Sequence, residues 1–430
     1  LTLSGSNSFD GGVSITAGTL AISETANLGD GGVTFDGGTL SITQNIGNLT
    51  RDFTVNAGGG TLNVADGVTA GTANDFRGTG NFIKTGAGRY DFAGDTDSFT
   101  GALTVQQGTL RMGNAASFAN ASQVIVNATL QVRTEIPTAV HNLSGDENGR
   151  IQLNNDLTVI QDTSATFAGV ITNGGGLTKE GAGTLILTGN STYTGLTTIN
   201  TGTLQLGNGG TSGSIVSDVQ LNTNGTLAFN RSDTYTFPGA ISGDGRVIFT
   251  GSGTVLFSSP DAYVGPITVT NAIMHLQDGS VSVSRVTVDA GGTISGNGTI
   301  GGLTVNSGGI VAPGNSPGTI TVSGPVTFNS GSVYRVDVAS NGSATPLAIG
   351  QYDRILSTGA VTLDSGATVL VVATPGIYAP NQTVPIITTS LANGSTGTFG
   401  RVTSEYAFLQ PSLNYDTQND YITLFYNQVA

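Results

Sequence analysis

Residues 176–206, GLTKEGAGTLILTGNSTYTGLTTINTGTLQL, carry four short runs that alternate inward and outward character: Leu177 with Lys179, Leu185 with Leu187, Thr197 with Ile199, and Leu204 with Leu206. A period of two is the strand period, so each run predicts a strand of about four residues. Gly181, Gly183, Gly189, Gly195 and Gly202 separate the runs. A chain that turns this often needs φ > 0 or a missing Cβ at such points. No run is long enough to bury a core alone.

The pattern returns at unequal intervals. Residues 81–112 repeat it as K-T-G-A-G, then Tyr90, Phe92, Gly94, Phe99, Gly101, Val105, Gly108-Thr109-Leu110 and Met112. The chain opens inside a copy, with Leu1, Leu3, Gly5, Phe9, Gly11, Ile15 and Gly18-Thr19-Leu20 matching its second half. A worn copy spans 243–276, where Gly251, Gly253, Val255, Phe257, Tyr263, Gly265 and Val269 keep register and Ala272 replaces the late glycine. The two lysines, Lys84 and Lys179, occupy the same motif position.

A finer period lies beneath. G-T-L begins at Gly18, Gly38, Gly60, Gly202 and Gly225, and G-T-I at Gly298 and Gly318, with intervals of 20, 22, 23 and 20 residues. Three short strands and three turns per interval, without a helix signal, describe one coil of a parallel β-solenoid. Coils about 4.8 Å apart make twenty of them a rod on the order of 100 Å long. Inward Leu, Val, Ile and Phe would stack into one core, and no coil is stable without neighbours. From Leu1 to about Val132 the pattern is regular. It lapses over 133–150, where Glu135, Pro137, His141, Asp146, Glu147 and Asn148 read as a loop or a decorated coil, and returns from Ile151 to about Val322.

Near Gly350 the composition changes. Residues 350–430 hold 7 of 66 glycines but 9 of 28 Phe and Tyr, among them Tyr406, Phe408, Tyr415, Tyr421, Phe425 and Tyr426. An open solenoid end exposes unpaired strand groups and its core, so an aromatic segment there reads as a cap. The expected division is a repeat stem over 1–349 and a C-terminal cap over 350–430.

The repeat resembles the passenger-associated β-strand repeat of type V autotransporters, most closely at 176–195. Val311-Ala312-Pro313-Gly314-Asn315-Ser316-Pro317-Gly318, Tyr378-Ala379-Pro380, Gly397-Thr398-Phe399 and Phe408-Leu409-Gln410-Pro411-Ser412-Leu413-Asn414-Tyr415 are similar to the C-terminal part of that family's passengers. The resemblance implies an all-β, right-handed, three-faced parallel β-helix, secretion across the outer membrane, and a C-terminal part that folds early and assists export. It implies exposure on the surface of a Gram-negative cell, or release from it, with a membrane barrel expected after Ala430. Leu1 lacks the regions of a signal peptide and falls in mid-motif, so the chain reads as a piece of something longer.

The net charge of −14 is dispersed, which opposes nucleic acid or an anionic membrane as partner. Absence of cysteine rules out disulfides and thiolate metal sites, and is equally compatible with cytosol or with an exported chain that must stay free of cross-links while threading a pore. Regular alternation among the 37% hydrophobic residues opposes disorder.

Catalytic constellations are weak. His275 alternates with Met274 and Leu276 and should face solvent. His141 lies near Ser144, Asp146 and Glu147, residue types of a hydrolase, but in no triad order. Asp95 and Asp97 open like a calcium loop, yet Phe99 and Gln106 occupy ligand positions. Residues 296–301 fit G-x-G-x-x-G but lie between strands, where no phosphate-binding helix follows. Asn190, Asn224 and Asn297 begin N-x-S/T triplets in turn-forming contexts. No catalytic, cofactor or metal residue is assigned, and no cofactor is expected. The expected role is adhesion, cell–cell self-association or biofilm formation, with a host surface, extracellular matrix or another copy as partner. The alternatives are a stalk for an effector outside this chain and, third, a carbohydrate-active β-helix.

Overall fold

A computed structural model describes residues 1–113, 117–133, 138–257, 263–281, 284–340, 342–343, 345–379, 381–406 and 409–426, without the side chains of 279–281 and 425–426. Glu135, Pro137, Pro380 and Phe408 lie outside them. The protein is an all-β parallel solenoid, and among the described residues the one helical turn is the 3₁₀ segment Thr25–Leu28. It falls into two compact units: Leu1–Asn208 with Ser212–Gln220, and Gly209–Thr211 with Leu221–Ala430.

In the first unit, Thr19–Ile22, Thr39–Ile42, Gly60–Val64, Phe82–Thr85, Ala102–Val105 and Gln123–Val126 stack in parallel. Thr69–Thr72, Arg89–Phe92, Thr109–Met112, Thr129–Val132, Arg150–Leu153 and Val170–Thr172 form a second stack. Alternation sets the core: Leu185, Leu187, Leu204 and Leu206 are fully buried. Each such leucine contributes about 1.5–3 kcal/mol. The glycines of G-T-L serve two needs. Gly18, Gly108 and Gly202 each turn the chain at φ 66°. At Gly38 and Gly60 the obstacle is space, because a Cβ would lie 2.2 Å from Ile15 Cγ2 and 2.4 Å from Phe35 Cβ.

Of the two expectations for 133–150, the described residues 138–150 fit the coil and not the loop. Thr138–His141 pairs in parallel with Leu157–Ile160, and Leu143–Ser144 with Gln123–Val126. Asn142, at φ 46°, makes the corner between them. That corner shifts the inward parity by one, burying Val140 and then Leu143, which breaks the alternation in sequence while preserving it in space.

The second unit keeps the parallel stacking, with offsets in register, one of them between Leu276 and Ser280. Gly298–Ile300 pairs with Ile320–Val322, two residues beyond the second G-T-I, because the turn at Gly314 (φ 77°) takes extra chain. Near its C-terminal end Leu409–Tyr415 and Asn419–Tyr426 form an antiparallel hairpin, and the latter strand runs antiparallel to Gln382–Thr389.

Candidate functional site

The strands place polar groups in two settings: a few buried at corners, and columns of outward side chains. In the first unit Lys84 and Lys179 are buried cations, with no exposed surface. Lys84 stacks between Leu62 and Val105, and Lys179 between Val159 and Ile199, so each aliphatic stem continues an apolar ladder. The ammonium of Lys84 donates to the carbonyls of Thr85, Gly86 and Gly88 at 2.8–2.9 Å and of Gln107 in the next coil at 3.1 Å. Lys179 donates to Glu180, Gly181 and, one coil on, Thr201 at 2.6–3.2 Å. The K-x-G-x-G motif thus wraps its own corner around the lysine. Burial pulls both ammonium groups down to about 8.

The second unit buries acids as well as the cation Arg231. Asp353 accepts the N–H groups of Gly318 at 2.7 Å and Asp337 at 2.9 Å, tying the Gly314–Gly318 turn to strand Val333–Val338. Burial raises its carboxyl to about 8, against the pull of those two N–H donors. Asp420 accepts from Ser395 Oγ at 2.9 Å and is raised by burial to about 6.

The candidate catalytic residues do not converge. His141 donates to the Ala121 carbonyl through Nδ1 at 2.8 Å, and its Nε2 meets the Asp162 carboxylate at 2.9 Å, so neither nitrogen is left for a nucleophile. Ser144 lies on a different stack and accepts from Gln123 Nε2 at 2.9 Å. Asp146 caps the N–H of Asn148. His275 is half-buried rather than fully exposed, with Nδ1 3.0 Å from Ser295 Oγ, and burial lowers its pKa. Asp95 accepts the N–H of Asp97, and Phe99 is core. Residues 296–300 lie inside the strand Thr293–Ile300. Asn190 and Asn297 accept turn N–H groups of Gly213 and Thr319, and Asn224 is exposed. Among the described residues no three His, Cys, Asp or Glu side chains are placed to hold a metal. No described helix is long and apolar enough to cross a membrane, which says nothing of a β-barrel.

What the coils do assemble is a column that sequence reading missed. In the second unit Thr287, Thr304, Thr327, Thr362 and Thr396 stand in register on the outside of one sheet, and Thr268 continues the row in a buried place. The hydroxyls of Thr287, Thr304, Thr327 and Thr362 make no hydrogen bond to described residues. Beside them runs an amide ladder, Asn329 to Asn306 and Asn306 to Asp289, each at 2.7 Å. The first unit has a shorter row, Thr158, Thr178 and Thr198. Thr327 and Thr362 are the middle residues of the strands Val-Thr-Phe and Val-Thr-Leu, and Thr287 and Thr304 each stand between two inward apolar residues, a context that favours β-branched residues.

The Passenger-associated-transport-repeat family model matches residues 1–22, 82–112 and 177–206, three of the four copies, including both lysine corners. The chain is an autotransporter passenger region. The passenger is 52% identical over 84 residues to the "Adhesin BmaC autotransporter" of Brucella suis biovar 1 (strain 1330), 19% of this chain and 2% of that protein. It is 33% identical over 182 residues to the "Extracellular serine protease" of Serratia marcescens, 41% of this chain and 16% of that protein. A 28% match over 159 residues, 30% of this chain and 12% of that protein, is to "Probable autotransporter YfaL" of Escherichia coli (strain K12). The chain spans less than a fifth of the length of each of these relatives.

Proposed function

We propose that this passenger region acts in adhesion or cell–cell self-association, displayed outside a Gram-negative cell. The observation that carries the reading is the in-register threonine column, in which the hydroxyls of Thr287, Thr304, Thr327 and Thr362 are free of partners among the described residues, so that many weak contacts can add through multivalency. Its partner would be a host surface, matrix or another copy. Similarity to a protein named an adhesin supports the same reading. Residues 350–430 would serve as cap, a role supported by the change from parallel stacking to an antiparallel hairpin. These residues would carry no catalysis of their own.

The similarity to the protein named an extracellular serine protease favours a second reading, in which the coils are a stalk for an effector elsewhere in the full protein. Displaying residues 1–430 on bacteria from an unrelated barrel separates the two. Increased aggregation or adherence over the empty barrel supports adhesion, and no increase supports the stalk.

A further inference from the structure

A second polar surface lies in the first unit. Strands Val13–Ile15, Val33–Phe35, Phe53–Val55 and Phe76–Gly78 put Ser14, Thr34, Thr54 and Arg77 in register on their outer face. These side chains floor a groove of about 330 Å³ rimmed by Asp10 and Asp52. One wall is bare backbone, because stacked Gly-Gly turns exclude side chains: a Cβ on Gly31 would lie 2.3 Å from the nitrogen of Gly12, and one on Gly12 would lie 2.7 Å from the carbonyl oxygen of Gly32.

The groove keeps its polar groups available. The hydroxyls of Ser14 and Thr34 and the carboxylate of Asp10 have no hydrogen-bond partner among the described residues. Arg77 is held loosely, with Nε 3.3 Å from Thr54 Oγ1 and its terminal nitrogens 3.5 Å from Asp52 and 4.0 Å from Asp75. Two carboxylates against one guanidinium disfavour a polyanion, and with Val33 buried and Val13 half-buried the lining offers an acyl chain little apolar surface. Carboxylates that accept, a guanidinium that donates, and hydroxyls that do both suit vicinal hydroxyl pairs.

We propose that this groove binds a neutral oligosaccharide lying along the coil stack, with successive sugar rings meeting coils spaced about 4.8 Å apart. Asp10 and Asp52 accept from sugar hydroxyls, Arg77 donates to them, and Ser14 and Thr34 bridge. With no aromatic platform among these residues, affinity rests on hydrogen bonds and grows with oligosaccharide length.

The test is the purified 430-residue chain on a printed array of neutral, uronate-bearing and sulfated oligosaccharides, followed by titration of the strongest neutral binder. The expected result is binding to neutral oligosaccharides that Arg77→Ala and Asp10→Ala each weaken tenfold or more. Thr34→Val, which preserves strand propensity and thermal stability, should weaken it severalfold. Absence of neutral binders, a preference for uronate or sulfate, or affinity unchanged in all three variants overturns the proposal. The array needs no cells, so its outcome is separate from that of the adherence assay: the groove can fail while the passenger adheres, and the reverse.

Discussion

The corner at Lys179 and the corner at Phe249 are the same motif position in the two units, and they solve one problem differently. The sequence at 179–183 is K-E-G-A-G and at 249–253 is F-T-G-S-G. In the first, an ammonium group inside the coil satisfies the turn carbonyls. In the second, Phe249 stacks on Phe229 at 5.2 Å between ring centroids and meets Phe257 edge-on at 5.7 Å. There the buried cation is Arg231, one coil earlier. Its guanidinium donates to both oxygens of Asp233 at 2.8–2.9 Å and to the Thr211 carbonyl, and lies 4.4 Å over the Tyr235 ring. Asp233 is correspondingly lowered, chiefly by the hydrogen bond from Arg231. A corner rich in carbonyls needs a buried donor, and the position that supplies it can move if the vacated place is filled by packing.

The largest expected effect tests the shared core. Leu185→Asp with Leu187→Asp puts two carboxylates where both side chains have no exposed surface. The loss should exceed about 5 kcal/mol and open neighbouring coils to protease. Unchanged protease resistance would mean these residues do not hold the coils together.

Exchanging the corner residues sharpens the contrast. Phe249→Lys should cost about 4 kcal/mol, since it buries an ammonium between the rings of Phe229 and Phe257. Lys179→Met keeps the stem but deprives the carbonyls of Glu180, Gly181 and Thr201 of their donor, at about 3 kcal/mol. Denaturant unfolding measures both. If Phe249→Lys were neutral, the two corners would be interchangeable and the comparison would collapse.

The units should also answer pH in opposite senses. Lys84 and Lys179 titrate near 8 when folded and at 10.5 when unfolded, so their contribution is full above 10.5 and is lost as pH falls through 8. Asp353 and Asp420 are raised from 3.8 to about 8 and about 6, so their contribution is full below 3.8 and is lost as pH rises through 6 and then 8. Hydrogen exchange, corrected for its intrinsic pH dependence, should show protection around Lys179 rising from pH 8 to 10. Around Asp353 it should fall from pH 5 to 8, by up to about tenfold per pH unit for each group. Parallel trends would refute the assignment of the two pH responses to buried lysines in one unit and buried aspartates in the other.

The smallest effect concerns the surface. Thr304→Val with Thr327→Val removes two column hydroxyls and should change stability by less than about 0.5 kcal/mol. The same pair should reduce the adherence of displayed passenger. Equal adherence would move the binding face elsewhere.

The sequence determined the period and the parity. Two-residue alternation placed Leu177, Lys179, Leu185 and Leu187 inward, and recurrent G-T-L marked successive coils, because a strand's side chains alternate whatever surrounds them. The shared position of the two lysines was legible for the same reason. Their donors' targets were not: Gln107 and Thr201 lie one coil away, and only stacking brings those carbonyls to the ammonium groups. His141 likewise finds Asp162 in the next coil instead of its neighbours in sequence. The threonine column was hidden because insertions of different length separate its members along the chain, while inter-coil hydrogen bonds restore their register. Local chemistry fixes which way a residue points, and the pairing of coils decides what it meets.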